Sequence, residues 1–177
     1  MTKFNKIILS LASLLLVGFG TFQLTNLYFH RQFQIIYSLD KKQNDQAIIK
    51  LINNANKYIY FAMYTFTKDD IADALIAAKQ RGLLVWGITD TEQSEKPYEK
   101  PIIQRLRQAG VTIETQKHYN GIMHIKAIVT DNAYAMGSYN WTESATIVND
   151  EILEIGTNKD LHDQYFELIK RILIINQ

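Results

Sequence analysis

The chain has 177 residues, of which 47% are hydrophobic and 21% charged, and its formal net charge is +1. This length and composition predict one folded domain with a substantial core and exclude a disordered or fibrous protein. The absence of cysteine excludes disulfides and thiolate metal sites.

The charged residues are unevenly distributed along the chain. Residues 1–32 hold three basic residues and no acidic one, which leaves 16 basic against 18 acidic residues in the rest of the chain. This balance argues against a broad phosphate-binding surface, because such surfaces normally carry clustered Lys and Arg. Any polyanion would have to bind a local patch, for which the candidates are Lys117, His118, His124 and Lys126.

The first predicted element is an N-terminal hydrophobic segment. Two lysines precede residues 7–20, which carry no charge and contain only two serines. This pattern is typical of a secretory signal, and residues 18–20 offer a small-x-small cleavage site. An uncleaved anchor is the alternative, because residues 7–27 reach the roughly 20 positions that a bilayer requires. Residues 1–31 are therefore predicted to be a signal peptide, with export to the periplasm or the medium, or else a membrane anchor.

Helix and strand signals alternate through residues 32–177, which are predicted to form one domain. This alternation predicts an α/β/α sandwich, in which helices flank a mixed central sheet. A hairpin at Asp131-Asn132 supplies at least one antiparallel pair. Residues 92–100 are predicted to be a charged loop. Strands are predicted at 33–38, 58–64, 83–88, 111–115, 124–130, 133–137 and 151–156, and helices at 45–56, 67–82, 101–109 and 161–174.

The most informative string lies between His124 and Asn140. His124 and Lys126 are two positions apart on a predicted buried strand, so their side chains are expected on one face. Ser138 and Asn140 have the same spacing on a neighbouring segment. Seventeen residues thus supply an imidazole that can act as a nucleophile near neutral pH, a cation, and neutral hydrogen-bonding groups.

These residues resemble the HKD motif of the phospholipase D superfamily, HxKxxxxD followed by GSxN. The strings HIKAIVTD (124–131) and GSYNWT (137–142) match this motif position by position. The resemblance extends over roughly residues 40–156, with the motif region at 118–145, and includes a strand ending in Y-x-F-T. One departure is visible, since residues 132–136 number one fewer than the family usually has before the glycine. The hairpin is therefore expected to be tight.

The resemblance implies a metal-independent phosphodiesterase in which His124 attacks phosphorus and forms a phosphohistidine that water then hydrolyses. Lys126 and Asn140 would hold the phosphoryl oxygens, and Ser138 would support the site by hydrogen bonding. Glu151 matches the acidic residue that, in this family, holds the histidine in its working tautomer. Because the motif occurs once, the resemblance also implies a homodimer that shares one active site, with one His124 as nucleophile and the other as acid.

Other residues carry weaker signals. Asp131 and Gly137 are interpreted as structural members of the motif. His118 and Tyr64 are candidates for substrate contact, although a surface histidine and a core aromatic are the commoner roles of such residues. Asp90 follows a predicted strand and is interpreted as a helix cap. The sequence predicts neither a metal nor a cofactor, because it has no HExxH string and no clustered carboxylates.

The motif does not distinguish nucleic acids from phospholipids as substrates. Small exported proteins with a single motif resemble the nonspecific bacterial endonucleases, so nucleic acid is the first expectation. The alternative is a phospholipase D that converts phosphatidylcholine to phosphatidate, which an N-terminal anchor and the non-basic charge of the domain would favour. A catalytically idle binding or scaffold protein is a third hypothesis, which is disfavoured because every motif position that the chemistry needs is filled.

Overall fold

The computed structural model describes residues 3–30, 32–117 and 120–177. The chain divides into two compact units, Met1–Gln34 and Ile35–Gln177.

The first unit contains one long helix, α1 (Lys3–His30). Within the described part of the chain, no helix combines the length and the apolar character that a membrane crossing requires. The assignment of residues 1–31 to export stays a prediction, which N-terminal sequencing of the exported protein would test.

A seven-stranded mixed sheet forms the centre of the fold, with strand order β1-β7-β6-β5-β2-β3-β4. Strands β2, β3 and β4 are parallel to one another, whereas β5 is antiparallel to β2 and β6 is antiparallel to both β5 and β7. The predicted α/β class with a mixed sheet is therefore confirmed. The elements that follow α1 are β1 (Phe33–Tyr37), α2 (Ser38–Lys41), α3 (Asn44–Asn54), β2 (Tyr58–Met63), α4 (Asp69–Gln80), β3 (Leu84–Thr89), α5 (Thr91–Ser94), α6 (Lys100–Gln108), β4 (Thr112–Thr115), β5 (Lys126–Thr130), β6 (Tyr134–Gly137), α7 (Glu143–Ile147), β7 (Ile152–Gly156) and α8 (Lys159–Ile175).

The two faces of the sheet are covered by different helices. Because side chains alternate along a strand, Phe61 of β2 belongs to one core cluster and its neighbour Tyr60 to the other. The first cluster contains apolar residues of α3, α4 and α6. The second contains Ile169 and Leu173 of α8. Helices on both faces bury the central strands and leave the ends of the sheet as the accessible surface.

One end of the sheet collects several chain segments. The parallel strands β2, β3 and β4 all finish there, and β5 begins there, because Met63 of β2 lies opposite Lys126 of β5. In open α/β sheets this carboxyl end of the parallel strands is where ligands bind. We call it the catalytic end, because the motif leads us to expect the reaction there.

The structure corrects one strand boundary that matters for the site. The strand predicted to begin at His124 begins at Lys126. The backbone N–H of Met123 donates to side chains, to Asp90 Oδ2 at 3.0 Å and to Gln116 Oε1 at 3.1 Å. These bonds replace a strand ladder just before His124. The carbonyl of Ile125 still accepts from the N–H of Tyr64 at 3.0 Å, so the chain stays close to the end of β2.

Helix α2 and two further short helices, α5 and α7, were not predicted. The segment expected to be a charged loop contains α5, which Asp90 caps by accepting from the N–H of Gln93 at 3.0 Å. The interpretation of Asp90 as a helix cap is therefore confirmed. Helix α7 is capped in the same way by Thr142. Both helices are too short to produce a hydrophobic period.

Candidate active site

His124 is exposed at the catalytic end of the sheet. Its imidazole packs against the ring of Tyr64, with 4.5 Å between the ring centroids and an angle of 58° between the planes. Tyr64 directly follows β2, so the end of the central strand supports the ring of His124.

Lys126, the first residue of β5, is only 8% exposed. Its ammonium donates to the carbonyl of His124 at 2.9 Å and lies 4.8 Å from the centroid of the Tyr64 ring. Burial lowers the pKa of Lys126, and the negative charge of Glu151 opposes this shift. The imidazole and the ammonium therefore both contact the ring of Tyr64.

Ser138 and Glu151 form a second group at the same end. The Ser138 hydroxyl donates to Oε2 of Glu151 and accepts from the N–H of Ile152 at 3.1 Å. Glu151 is 8% exposed, and its backbone exchanges hydrogen bonds of 2.9 and 3.0 Å with Ser38. The carboxylate is therefore held rigidly. It contacts Ser138 and Asn149, and its role in orienting His124 stays a prediction.

Gly137 lets β6 approach β7 closely beside this group. A Cβ at Gly137 would overlap the carbonyl oxygen of Ile152. The next backbone N–H, that of Ser138, donates to the same carbonyl at 3.0 Å. The structural interpretation of Gly137 agrees with this crowding, because any side chain would push Ser138 away from Glu151.

Asn140 links the motif to the end of β2. Its Oδ1 accepts from the N–H of Thr65 at 3.3 Å. The next residue, Trp141, donates its N–H to the carbonyl of Thr65 at 3.1 Å and pairs with Phe66. Trp141 and Phe66 are both fully buried, so they anchor this link in the core.

Asp131 lies away from the other motif residues. It follows the far end of β5, where its Oδ1 accepts from the N–H groups of Asn56 and Lys57 at 2.9 and 3.2 Å. The carboxylate thus ties the β5–β6 hairpin to the loop between α3 and β2. The structural interpretation of Asp131 fits this position. His118, a predicted substrate contact, lies outside the described residues.

Sequence reasoning missed Glu99, which lies directly beneath the site. Its carboxylate accepts from the N–H of Phe66 at 2.9 Å and from the hydroxyl of Thr89 at 2.7 Å. The side chain is buried, and this burial raises the pKa of Glu99 to about 7. No local signal could have found it, because its partners lie 33 and 10 positions away.

Metal ligation has no candidate among the residues that the structure describes. No group of three or more His, Cys, Asp or Glu side chains in residues 3–30, 32–117 and 120–177 is placed to hold an ion.

Residues 48–173 match the family described as "Cardiolipin synthase, PLD-like domain". The chain belongs to the phospholipase D superfamily.

Two curated relatives are each 29% identical to this chain. One is a mitochondrial cardiolipin hydrolase of Chlamydomonas reinhardtii, aligned over 110 residues that cover 62% of this chain and 48% of the relative. The other is a phospholipase D of Rickettsia conorii, aligned over 121 residues that cover 68% and 59%. The matched region therefore spans about half to three fifths of the length of these relatives.

Solved structures support the fold over nearly their whole length. Nuc of Salmonella typhimurium, a phospholipase D family member, superposes with a TM-score of 0.73 at 26% identity, covering 79% of this chain and 92% of Nuc. NucT of Helicobacter pylori gives a TM-score of 0.74 at 22% identity, covering 80% and 95%. Because NucT is only 22% identical to this chain, the similarity to NucT concerns the fold alone.

The raised pKa of Glu99 predicts a specific pH dependence of stability. The folded state binds the proton of the Glu99 carboxyl more tightly than the unfolded state does. The protonated carboxyl therefore makes its full contribution to the stability of the fold below the usual pKa of a glutamate, and this contribution is lost as the pH rises through about 7. The loss by pH 8 is on the order of 3 kcal/mol. In Glu99→Gln the titration is absent. Urea unfolding from pH 5 to 8 should therefore show wild type losing stability relative to Glu99→Gln.

Glu167→Gln is the control for this measurement, because Glu167 is exposed on α8. A constant difference between wild type and Glu99→Gln across the pH range would contradict the prediction. That result would mean that Glu99 has the same pKa in the folded and the unfolded protein.

Proposed function

We propose that this protein is a metal-independent phosphodiesterase that acts through a phosphohistidine on His124. The observation that carries this proposal is the placement of an exposed imidazole and a buried ammonium against the same ring, that of Tyr64. Family membership and the names of the curated relatives support the same reaction class.

The chemistry takes two steps. A ring nitrogen of His124 forms a bond to phosphorus while the P–O ester bond breaks, and the departing alkoxide takes a proton from an acid. Water then attacks phosphorus while the deprotonated acid takes a proton from it, the N–P bond breaks, and both the imidazole and the acid are restored. The Lys126 ammonium would stabilise the non-bridging oxygens in both steps. Asn140 would donate from its NH₂ group, because its carbonyl oxygen already accepts from Thr65.

We propose that the acid is His124 of a second copy of the chain. The described residues supply one imidazole at the catalytic end, and it is exposed. Large apolar side chains close in sequence to His124 and Glu151 are also exposed, with Ile122 at 55%, Val148 at 66% and Ile152 at 55%. A second copy packed on this surface would cover them and bring the two sites together, as expected of a C2 dimer.

Nucleic acid is the first proposed substrate, on the resemblance of small single-motif proteins to bacterial endonucleases. Lys117 is exposed on the segment that leads to His124 and could contact a phosphate backbone. A phospholipid headgroup is the second candidate. It is favoured by the names of the curated relatives, cardiolipin hydrolase and phospholipase D, and by the exposed Ile122 near His124.

Substitution of His124 tests the nucleophile. His124→Asn should reduce turnover to the background rate with little loss of stability, because the side chain is exposed. Rapid quench of the wild type with a labelled diester should trap an acid-labile phosphoramidate on the protein. His162→Asn is the control, because His162 bonds to Thr130 at the far end of β5. Near-normal turnover of His124→Asn would refute the proposed nucleophile.

Ionic strength separates the two substrate classes. Plasmid DNA, single-stranded DNA, RNA and phosphatidylcholine vesicles should be tested in chelator over a salt series. Cleavage of a nucleic acid should fall steeply with salt, because binding releases counterions. Hydrolysis of the zwitterionic lipid should respond weakly. If only the phosphatidylcholine vesicles are hydrolysed, the phospholipid is the substrate and the proposal of a nucleic acid is wrong.

Subunit mixing tests the shared site. Wild-type and His124→Asn chains with different affinity tags should be co-expressed and the mixed dimer purified over both tags. Because each reaction would need both imidazoles, this dimer should show turnover near the background rate. A mixed dimer with half of the wild-type turnover, or an active monomer, would show that each chain works alone.

A further inference from the structure

The ring of Tyr64 contacts both groups to which the proposed chemistry assigns a direct role. His124 packs against it at 4.5 Å between centroids, and the Lys126 ammonium lies 4.8 Å from its centroid. A cation near an aromatic face is favoured by about 0.5–2 kcal/mol, depending on its exposure. The orientation of this one ring therefore affects the position of the imidazole and the stabilisation of the ammonium charge.

Gln93 of α5 is hydrogen-bonded to the hydroxyl of Tyr64. Its Nε2 donates to the hydroxyl of Tyr64 at 3.2 Å. Its Oε1 accepts from the hydroxyl of Tyr98 at 3.2 Å. Both ends of the amide are thus engaged, and the bridge crosses 29 positions of sequence to reach the end of β2.

Asp90 connects the same helix to the backbone beside His124. It is 1% exposed, and its two oxygens accept from different segments. Oδ1 accepts from the N–H of Gln93 and Oδ2 from the N–H of Met123, both at 3.0 Å. These contacts form a closed network. Asp90 bonds to Gln93, Gln93 to Tyr64, and Tyr64 packs against His124. Met123, which precedes His124 in the chain, bonds back to Asp90.

We propose that Gln93 and Tyr64 are positioning residues, which fix the imidazole of His124 and the ammonium of Lys126 for attack on phosphorus. This inference rests on the proposed function. It gives Tyr64 a role that is exerted through His124 and Lys126 in place of direct substrate contact. Misplacement of a reacting group by about 1 Å can cost on the order of 100-fold in rate, so a bridge that fixes one ring has a measurable effect.

A double-mutant cycle tests the bridge. Tyr64→Phe keeps the ring and removes the hydroxyl, whereas Gln93→Leu removes the amide. Each should lower kcat on bis(p-nitrophenyl) phosphate by roughly 10-fold with little change in KM, because positioning acts after binding. The double variant should fall no further than the single ones, since both changes break the same hydrogen bond.

Gln93→Glu provides a conservative rescue. A carboxylate can accept from both phenol hydroxyls, so the bridge to Tyr64 and Tyr98 can persist and kcat should stay within about 3-fold of wild type. Tyr58→Phe is the matched control, because Tyr58 begins the same strand at its opposite end. Independent losses of about 100-fold in the double variant, or wild-type kcat in Gln93→Leu, would overturn the inference.

An NMR measurement separates this inference from the proposed function. The ring protons of His124 experience the ring current of Tyr64, so Gln93→Leu should shift them and leave those of His162 unchanged. Unshifted His124 signals would overturn the positioning role whatever the activity. Failure of the wild type to hydrolyse any diester would overturn the proposed function, and the assignment of Gln93 and Tyr64 to catalysis with it.

Discussion

The antiparallel pairing of β2 with β5 is the constraint on which the site depends. In such a pair the end of one strand meets the start of the other, so Met63 lies opposite Lys126. Tyr64 then falls beside His124 and Lys126, and the core clusters on both faces of the sheet hold this register. Without the pairing, the phenol ring, the imidazole and the ammonium would belong to unconnected segments.

The side chains at the catalytic end differ sharply in their exposure to solvent. His124 and Ser138 are exposed, whereas Lys126, Glu151 and Glu99 are buried. Buried ionisable groups are costly unless they are paired or hydrogen-bonded, and the two carboxylates here accept hydrogen bonds from defined donors. The imidazole of His124 stands at the surface, and rigid polar contacts surround it. This is the arrangement expected of a site that is organised before substrate binds.

The sequence was sufficient for the fold and for the string of residues at its centre, and insufficient for the contacts around them. Alternation and helical periodicity predicted the sheet and its covering helices, because strands such as β5 are buried on both faces. The strand boundary at His124 was missed because it depends on Asp90 bonding to Met123 across 33 positions. Helix α5 was missed because it is too short to produce a hydrophobic period. Glu99 and Gln93 were missed because each has a partner far away in the sequence. Local patterns record which face of an element is buried, but they do not record which distant donor a carboxylate or amide will find.

The β5–β6 hairpin has a consequence for how this domain can vary in length. Thr130 and Ala133 are hydrogen-bonded across the turn, and Ala127 pairs with Met136 further along. Residues 131 and 132 form the whole connection, at the end of the sheet remote from His124. A residue gained there lengthens the connection, whereas the pairing of Ala127 with Met136 is held by burial on both faces of β5. The unusual spacing of the motif in this chain is therefore absorbed at the turn, and a peptide tag grafted at this tip would leave the reacting atoms where they are.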